Sequence, residues 1–370
     1  MNEYKIPNSM HDISVLGNLQ LDEWSSTFYD KRVREDIKAQ LSSSRLRNFK
    51  TAFLVKGGFA GIYKVQVDND ELPFILKLFT KTYDVQDEYH SYLSNKLSKW
   101  DSENHPLSKY LVGYQYYPAG YLDWSTPQKE APFALMESVI ESQHFDLEFI
   151  KEFQGTDTLR IVTDDFLQLM RLFDKYGVGH GDLSPDNILI YIDEDRLPHL
   201  KIIDYEELYV PGFSKPIITG EAGKTAFQHK SRHDGQVLDE TVHYFSSIVY
   251  YLSLLVYSLQ SNDKECVYAT NNSLSEIDDQ KLYDGIDGLK MLLFTADDLK
   301  SGDTKIFRKL KNIPYQDEIR ELAKILEIYI HQDTTEHFQS LPYLIDMIRK
   351  QDPMKVYTYN MRPGSPIYRD

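Results

Sequence analysis

Two kinds of apolar spacing divide the chain. From Thr51 to Lys81 the apolar residues come in short runs: Phe53-Leu54-Val55, Ile62 to Val67, and Pro73 to Phe79. Gly57-Gly58-Phe59-Ala60-Gly61 separates the first two runs, and the polar turn Asp68-Asn69-Asp70-Glu71 separates the next two. Runs of this length bounded by turn residues predict β-strands. Val112 to Tyr116 and Pro132 to Ile140 predict two more. Elsewhere the spacing is three to four. Tyr89, Leu93 and Leu97 predict a helix over 85–97, and Val33, Ile37 and Leu41 one over 30–46. Phe166, Met170 and Phe173 form the stripe of a helix over 163–177, with Thr163 as N-cap and Gly177 as its stop. Further helices are predicted over 244–259, 280–293, 315–330 and 341–350.

Strands early and helices late predict an α+β protein, with a small β-rich part followed by a larger helical part. The step from the strand Pro132 to Ile140 into a polar linker marks the boundary. The expected division is an N-terminal extension over 1–50, a β-rich lobe over 51–139, a helical lobe over 140–350 and a tail over 351–370. No internal repeat is visible.

Lys plus Arg number 41 and Asp plus Glu 57, so the formal charge is 41 − 57 = −16. That balance argues against nucleic-acid binding and against docking on anionic lipid. The aromatic stretch Tyr110 to Trp124 lacks interleaved basic residues and is expected in a core or an interface. Thr241 to Asn262 is free of Asp, Glu, Lys and Arg, but His243, its serines and Gln260 favour a buried helix over a membrane span. A single cysteine, Cys266, allows no internal disulfide and fits a reducing cytoplasm. Met1 to Lys5 opens no signal pattern.

The candidate chemistry lies in His180-Gly181-Asp182-Leu183-Ser184-Pro185-Asp186-Asn187. An apolar run follows, then the turn Asp193-Glu194-Asp195, then a return run ending at Asp204. A hairpin of that shape brings Asn187 and Asp204 to one edge, where amide and carboxylate oxygens suit a hard cation such as Mg²⁺. Lys77 sits inside the apolar run Leu76 to Phe79, and a buried lysine needs an anionic partner. Glu88 is the expected partner and Asp87 its rival; an edge strand with Lys77 in solvent is the alternative. The glycines at 57 and 58 would let backbone N–H groups approach phosphates. The backbone from Glu137 to Val139 offers hydrogen-bonding groups to an adenine edge, with an ordinary strand exit as the alternative.

In that order, Val55 to Val65, Lys77, His180 to Asn187 and Asp204 resemble motifs of the protein-kinase-like fold. These are the glycine-rich loop, the third-strand lysine, the catalytic loop and the metal-binding aspartate. The resemblance spans about residues 51–350 and implies a bilobal kinase-like architecture. A narrower one rests on Ile202 to Pro211, Phe227-Gln228-His229, Phe245-Ser246 and Leu292-Leu293-Phe294 with Asp297-Asp298. These stretches are similar to a bacterial kinase-like group. Its genes often lie beside those of von Willebrand factor A proteins and phosphatases, in stress-response or tellurium-resistance-type clusters. The sequence departs from the pattern at Val55 and Ala60, which replace two loop glycines. Gly181 stands in place of an arginine that reads phosphorylation, and Ser184 in place of a lysine near the transferred phosphoryl group. Tyr205-Glu206 stands in place of Phe-Gly, and His243 in place of an anchoring aspartate.

The resemblance implies Mg-ATP as cofactor and a Ser/Thr protein kinase as the activity. Asp182 would be the catalytic base, with Lys77 and Asn187 beside it in catalysis. Gly57, Gly58, Ala60, Ile62, Lys77, Glu88, Glu137 and Val139 would hold the nucleotide, and Asn187 and Asp204 the metal. The implied partner is a protein substrate, with neighbouring-gene stress-response proteins as candidates. The alternatives are an aminoglycoside-type small-molecule phosphotransferase, a nucleotide-binding pseudokinase scaffold, and adenylyl transfer.

Overall fold

The structure, a computed structural model, describes residues 2–3, 49–56, 60–67, 74–79, 81–82, 84–123, 126–139, 141–219, 223–224, 227–233, 235–259 and 292–350. The content is mixed, with antiparallel sheets and helices in separate stretches of chain, as α+β requires. The chain forms two compact units. One comprises Met1–Ile140 with Phe213–Ile217, the other Glu141–Gly212 with Ile218–Asp370.

The first unit is built on a five-stranded antiparallel sheet. Its strands are β1 (Phe49–Lys56), β2 (Ala60–Val67), β3 (Phe74–Phe79), β4 (Tyr114–Asp123) and β5 (Thr126–Glu137), in the spatial order β1-β2-β3-β5-β4. Helix α1 (Asp84–Ser102) packs against β4. Tyr89, Leu93 and Leu97 are all buried, as their spacing requires. Strand β4 begins at Tyr114; Tyr114 and Tyr116 are buried core residues, their hydroxyls reaching His90 and Asp87 on α1.

In the second unit the helices are α2 (Leu147–Glu152), α3 (Asp157–Tyr176), α4 (Tyr244–Tyr257), α5 (Ala296–Ser301), α6 (Lys305–Leu310), α7 (Asp317–His331) and α8 (Leu341–Arg349). Helix α4 is buried almost all round and contacts α2, α3, α7 and α8. A buried helix needs apolar residues on every face, which explains its charge-free sequence. Among the described residues no helix is long and apolar enough to cross a membrane.

Helix α3 begins earlier than its stripe predicts. The N-cap is Thr156, whose side chain accepts from Leu159 N, and Thr163 lies inside the helix with its hydroxyl donating to Leu159 O at 2.7 Å. A hydroxyl bonded back one turn satisfies itself mid-helix, so a cap-type residue need not be a cap. Gly177 does end the helix, at φ 63°. Helices α2, α5 and α6 were not predicted; each has six residues, too few to show a period. The predicted helix over 30–46, most of that over 280–293, the 351–370 tail and Cys266 lie outside the described residues.

Candidate functional site

Strands β6 (Ile188–Ile192) and β7 (Pro198–Ile202) form the predicted hairpin, with Ile188 opposite Ile202. One step beyond the ladder, Ile203 N donates to Asn187 O at 3.0 Å. That bond fixes the hairpin mouth, so Asn187 and the residue after Ile203, Asp204, belong to the same end. Asp204 takes a left-handed backbone (φ 67°, ψ 83°) before the short turn Tyr205–Glu207. Outside glycine this conformation costs of order 1 kcal/mol and persists where the surroundings fix it.

The Asn187 side chain is tied to the preceding loop. Its Nδ2 donates to Asp182 O and to Asp182 Oδ2, each at 2.8 Å. With the amide N–H groups so engaged, the amide oxygen is left as the donor atom for a cation. Asp182 Oδ1 accepts from Lys224 N at 3.2 Å. Both oxygens of this carboxylate are therefore held, one by Asn187 in the same loop and the other by Lys224 from a distant stretch.

His180 is fully buried, and burial pushes its pKa down. Its Nδ1 accepts from Asp182 N at 3.2 Å, and Nε2 faces Ile203 O at 3.4 Å. A neutral imidazole with its proton on Nε2 satisfies both contacts.

Gly181 has a packing reason. A Cβ there would lie 2.6 Å from Arg232 Nη2 and 2.8 Å from Glu207 Oε2. Arg232 Nη2 donates to Glu207 Oε2 at 3.0 Å, with side chains only 6% and 10% exposed. Glu207 Oε1 also accepts from Thr219 Oγ1 at 2.6 Å. Burial pushes the Glu207 carboxyl up to about 8 against the pull of Thr219 and Arg232. The Gly181 backbone is held on both sides, its N–H by Glu207 O at 2.7 Å and its carbonyl by Gln228 Nε2 at 2.7 Å. Ser184 is fully buried, and so is His243, which burial pushes down to about 3.

In the first unit, Lys77 lies on β3, the central strand of the sheet, opposite Ile62 on β2 and Ala134 on β5. It is buried, which removes the solvent-exposed edge-strand reading. Ala60 is buried and Ile62 half-buried. The expected Lys77–Glu88 pair does not form. Glu88 is exposed and accepts from Lys215 Nζ at 2.5 Å, because its position on α1 turns the carboxylate outward. Asp87, the rival, accepts the Tyr116 hydroxyl. Glu137 ends β5, its N–H donating to Gly113 O at 3.0 Å, so that donor is spent on the residue just before β4; Val139 follows, half-buried. Gly57 and Gly58 lie outside the described residues.

Four residues that meet the Asp182 loop were not singled out in the sequence: Glu207, Lys224, Gln228 and Arg232. Glu207 and Gln228 fall in quoted stretches, yet nothing in their spacing marks their contacts. Among the described residues no group of three or more His, Cys, Asp or Glu is arranged to hold a metal ion.

No protein-family model matches the chain, and no curated protein does. Among solved structures it is similar to the kinase PK-1 of Cydia pomonella granulovirus. The identity is 13% over 60% of this chain and 73% of that one, with a TM-score of 0.36.

Proposed function

We propose that the chain is an ATP-dependent phosphotransferase of the protein-kinase type, acting on a serine or threonine hydroxyl of a protein. The observation that carries this reading is the Asp182 carboxylate, oriented by Asn187 and by Lys224 N, on a loop tied to the hairpin mouth that bears Asp204. A carboxylate held this way can orient a hydroxyl and take its proton. The acceptor oxygen then bonds the γ-phosphorus, the bond to the β–γ bridging oxygen breaks with its electron pair on ADP, and the proton goes to Asp182.

Asn187 and Asp204 offer an amide and a carboxylate oxygen, a donor set that suits Mg²⁺, which takes few protein oxygens alongside phosphate and water. When bound, the ion would neutralise charge on the phosphate oxygens. Lys77 is the proposed cation for the α- and β-phosphates, and the 57–62 segment and the 137–139 strand exit the proposed nucleotide contacts. A kinase of this type would work in the cytoplasm.

The test is transfer of labelled γ-phosphate by the purified protein to protein acceptors, with Asp182→Ala and Asp204→Asn in parallel. Asp182→Ala should lose about 10²–10⁴ in rate. Equal labelling by all three proteins would refute the assignment. Product mass separates the rivals: about 80 Da added marks phosphoryl transfer and about 329 Da adenylyl transfer. Labelling of only a small hydroxyl compound would replace the protein acceptor. ATP binding without turnover would indicate a scaffold.

A further inference from the structure

The loop from His180 to Asn187 carries two carboxylates, Asp182 and Asp186, and neither a lysine nor an arginine. A phosphoryl group moving to a hydroxyl beside Asp182 brings more negative charge to the same place. Such a transition state needs fixed positive charge close by. Among the described residues, Arg232 and Lys224 pair with carboxylates on or against this loop. Arg232 is spent on Glu207 and is enclosed. Lys224 is different. Its Nζ pairs with Asp186, whose side chain is half open at 51%, while the lysine side chain is only 18% exposed. Its backbone N–H is fixed on Asp182 Oδ1 at 3.2 Å.

The approach that puts Lys224 there is built in. Gly223 has φ 71°, and a Cβ on it would lie 2.7 Å from Gln228 Nε2 and 3.1 Å from Asp182 Oδ1. Gln228 Nε2 is itself bonded to Gly181 O, so it has little room to retreat. A residue with a side chain here would be strained at this φ and would have to displace the Gln228 amide and crowd the carboxylate.

We propose that Lys224 is a catalytic residue, its ammonium group contacting the phosphoryl group during transfer to the acceptor oxygen. This rests on the phosphotransferase reading above. The acceptor hydroxyl must lie within hydrogen-bond reach of Asp182, about 2.6–3.2 Å. The phosphorus bonds that oxygen, so it passes within one lysine side chain of a backbone atom anchored on the same carboxylate. The ammonium exchanges Asp186 for the phosphoryl oxygens and stays protonated throughout. The proton balance is unchanged: the hydroxyl proton goes to Asp182 and the bridging-oxygen electron pair to ADP. The Asp186 side chain is half open, so water screens the Lys224–Asp186 pair on that side and solvates the carboxylate once it is released.

Substitution is clean here, because every residue but proline keeps the backbone N–H bond to Asp182. Lys224→Ala, Lys224→Arg and Asp182→Asn are compared with the wild-type full chain in steady-state transfer from Mg-ATP. Binding of Mg-ADP with and without aluminium fluoride, which mimics the phosphoryl group in flight, is measured beside it. Lys224→Ala should lose about 10²-fold in kcat with KM for ATP little changed. It should weaken the aluminium fluoride complex by a similar factor while leaving Mg-ADP affinity alone. Lys224→Arg should recover part of both. Loss of kcat below about threefold in Lys224→Ala, or equal weakening of both complexes, would overturn the proposal. Undiminished transfer by Asp182→Asn, or none by the wild type, would instead overturn the phosphotransferase reading on which it rests.

Discussion

Arg232 Nη2 lies 3.0 Å from Glu207 Oε2, in the space that a side chain at position 181 would fill. The pair and the glycine explain each other. Arg232 Nε and Nη1 are buried without hydrogen-bond partners among the described residues, so the guanidinium is held by one contact and by packing. Gly181→Ala is expected to cost about 1–3 kcal/mol, as overpacking does. In an Arg232→Gly background the same change should cost measurably less. Denaturant midpoints of the four proteins give the coupling directly.

The same pair gives a pH signature. The folded Glu207 carboxyl is raised from 4.5 to about 8 by burial. Between those values the folded protein holds a proton that the unfolded chain has released. The contribution to stability is therefore complete below about 4.5 and is lost as pH rises toward about 8. Glu207→Gln should flatten that decline when Tm is followed over this range.

His243 has the opposite acid-side effect. Burial drops its pKa from 6.5 to about 3, so the unfolded chain takes up a proton that the folded chain refuses. Stability should fall as pH drops from about 6.5 toward 3, with a slope of at most about 1.4 kcal/mol per pH unit from this residue. His243→Asn should make the acid limb of a stability–pH curve shallower.

Helix α4 should be the part of the second unit least tolerant of lost volume. Leu254 is fully buried on it. Leu254→Ala is expected to cost about 2–5 kcal/mol in chemical denaturation. Ile161, 40% exposed on α3, should be nearly neutral when changed to alanine.

Much of the frame was legible because it depends on local spacing. The strands around Lys77 follow from short apolar runs bounded by turn residues, α3 from a spacing of three to four, α4 from an uncharged run, and the β6–β7 hairpin from its polar turn. Asn187 meets Asp182 because both lie in one short loop. The rest depends on contacts that no period encodes. Lys224 reaches Asp182 across 42 positions and Arg232 reaches Glu207 across 25. Glu88 misled for a related reason: it is one step around α1 from the face that packs inward, and its carboxylate meets Lys215 across 127 positions. Thr163 misled because a threonine can satisfy its hydroxyl inside a helix as well as at its start.

The assignment of Phe213–Ile217 to the first unit bears on the order in which the protein is made. Phe213 packs its ring 5.1 Å from Tyr89 and 5.5 Å from Tyr92, and Lys215 holds Glu88. On the ribosome, the sheet and α1 emerge well before these partners. Completion of that unit must wait for a stretch made only after the Asp182 loop and its hairpin have been synthesised. Neither unit corresponds to one uninterrupted length of nascent chain, so cutting at residue 140 would release a fragment whose Tyr89 and Tyr92 lack the ring they pack against.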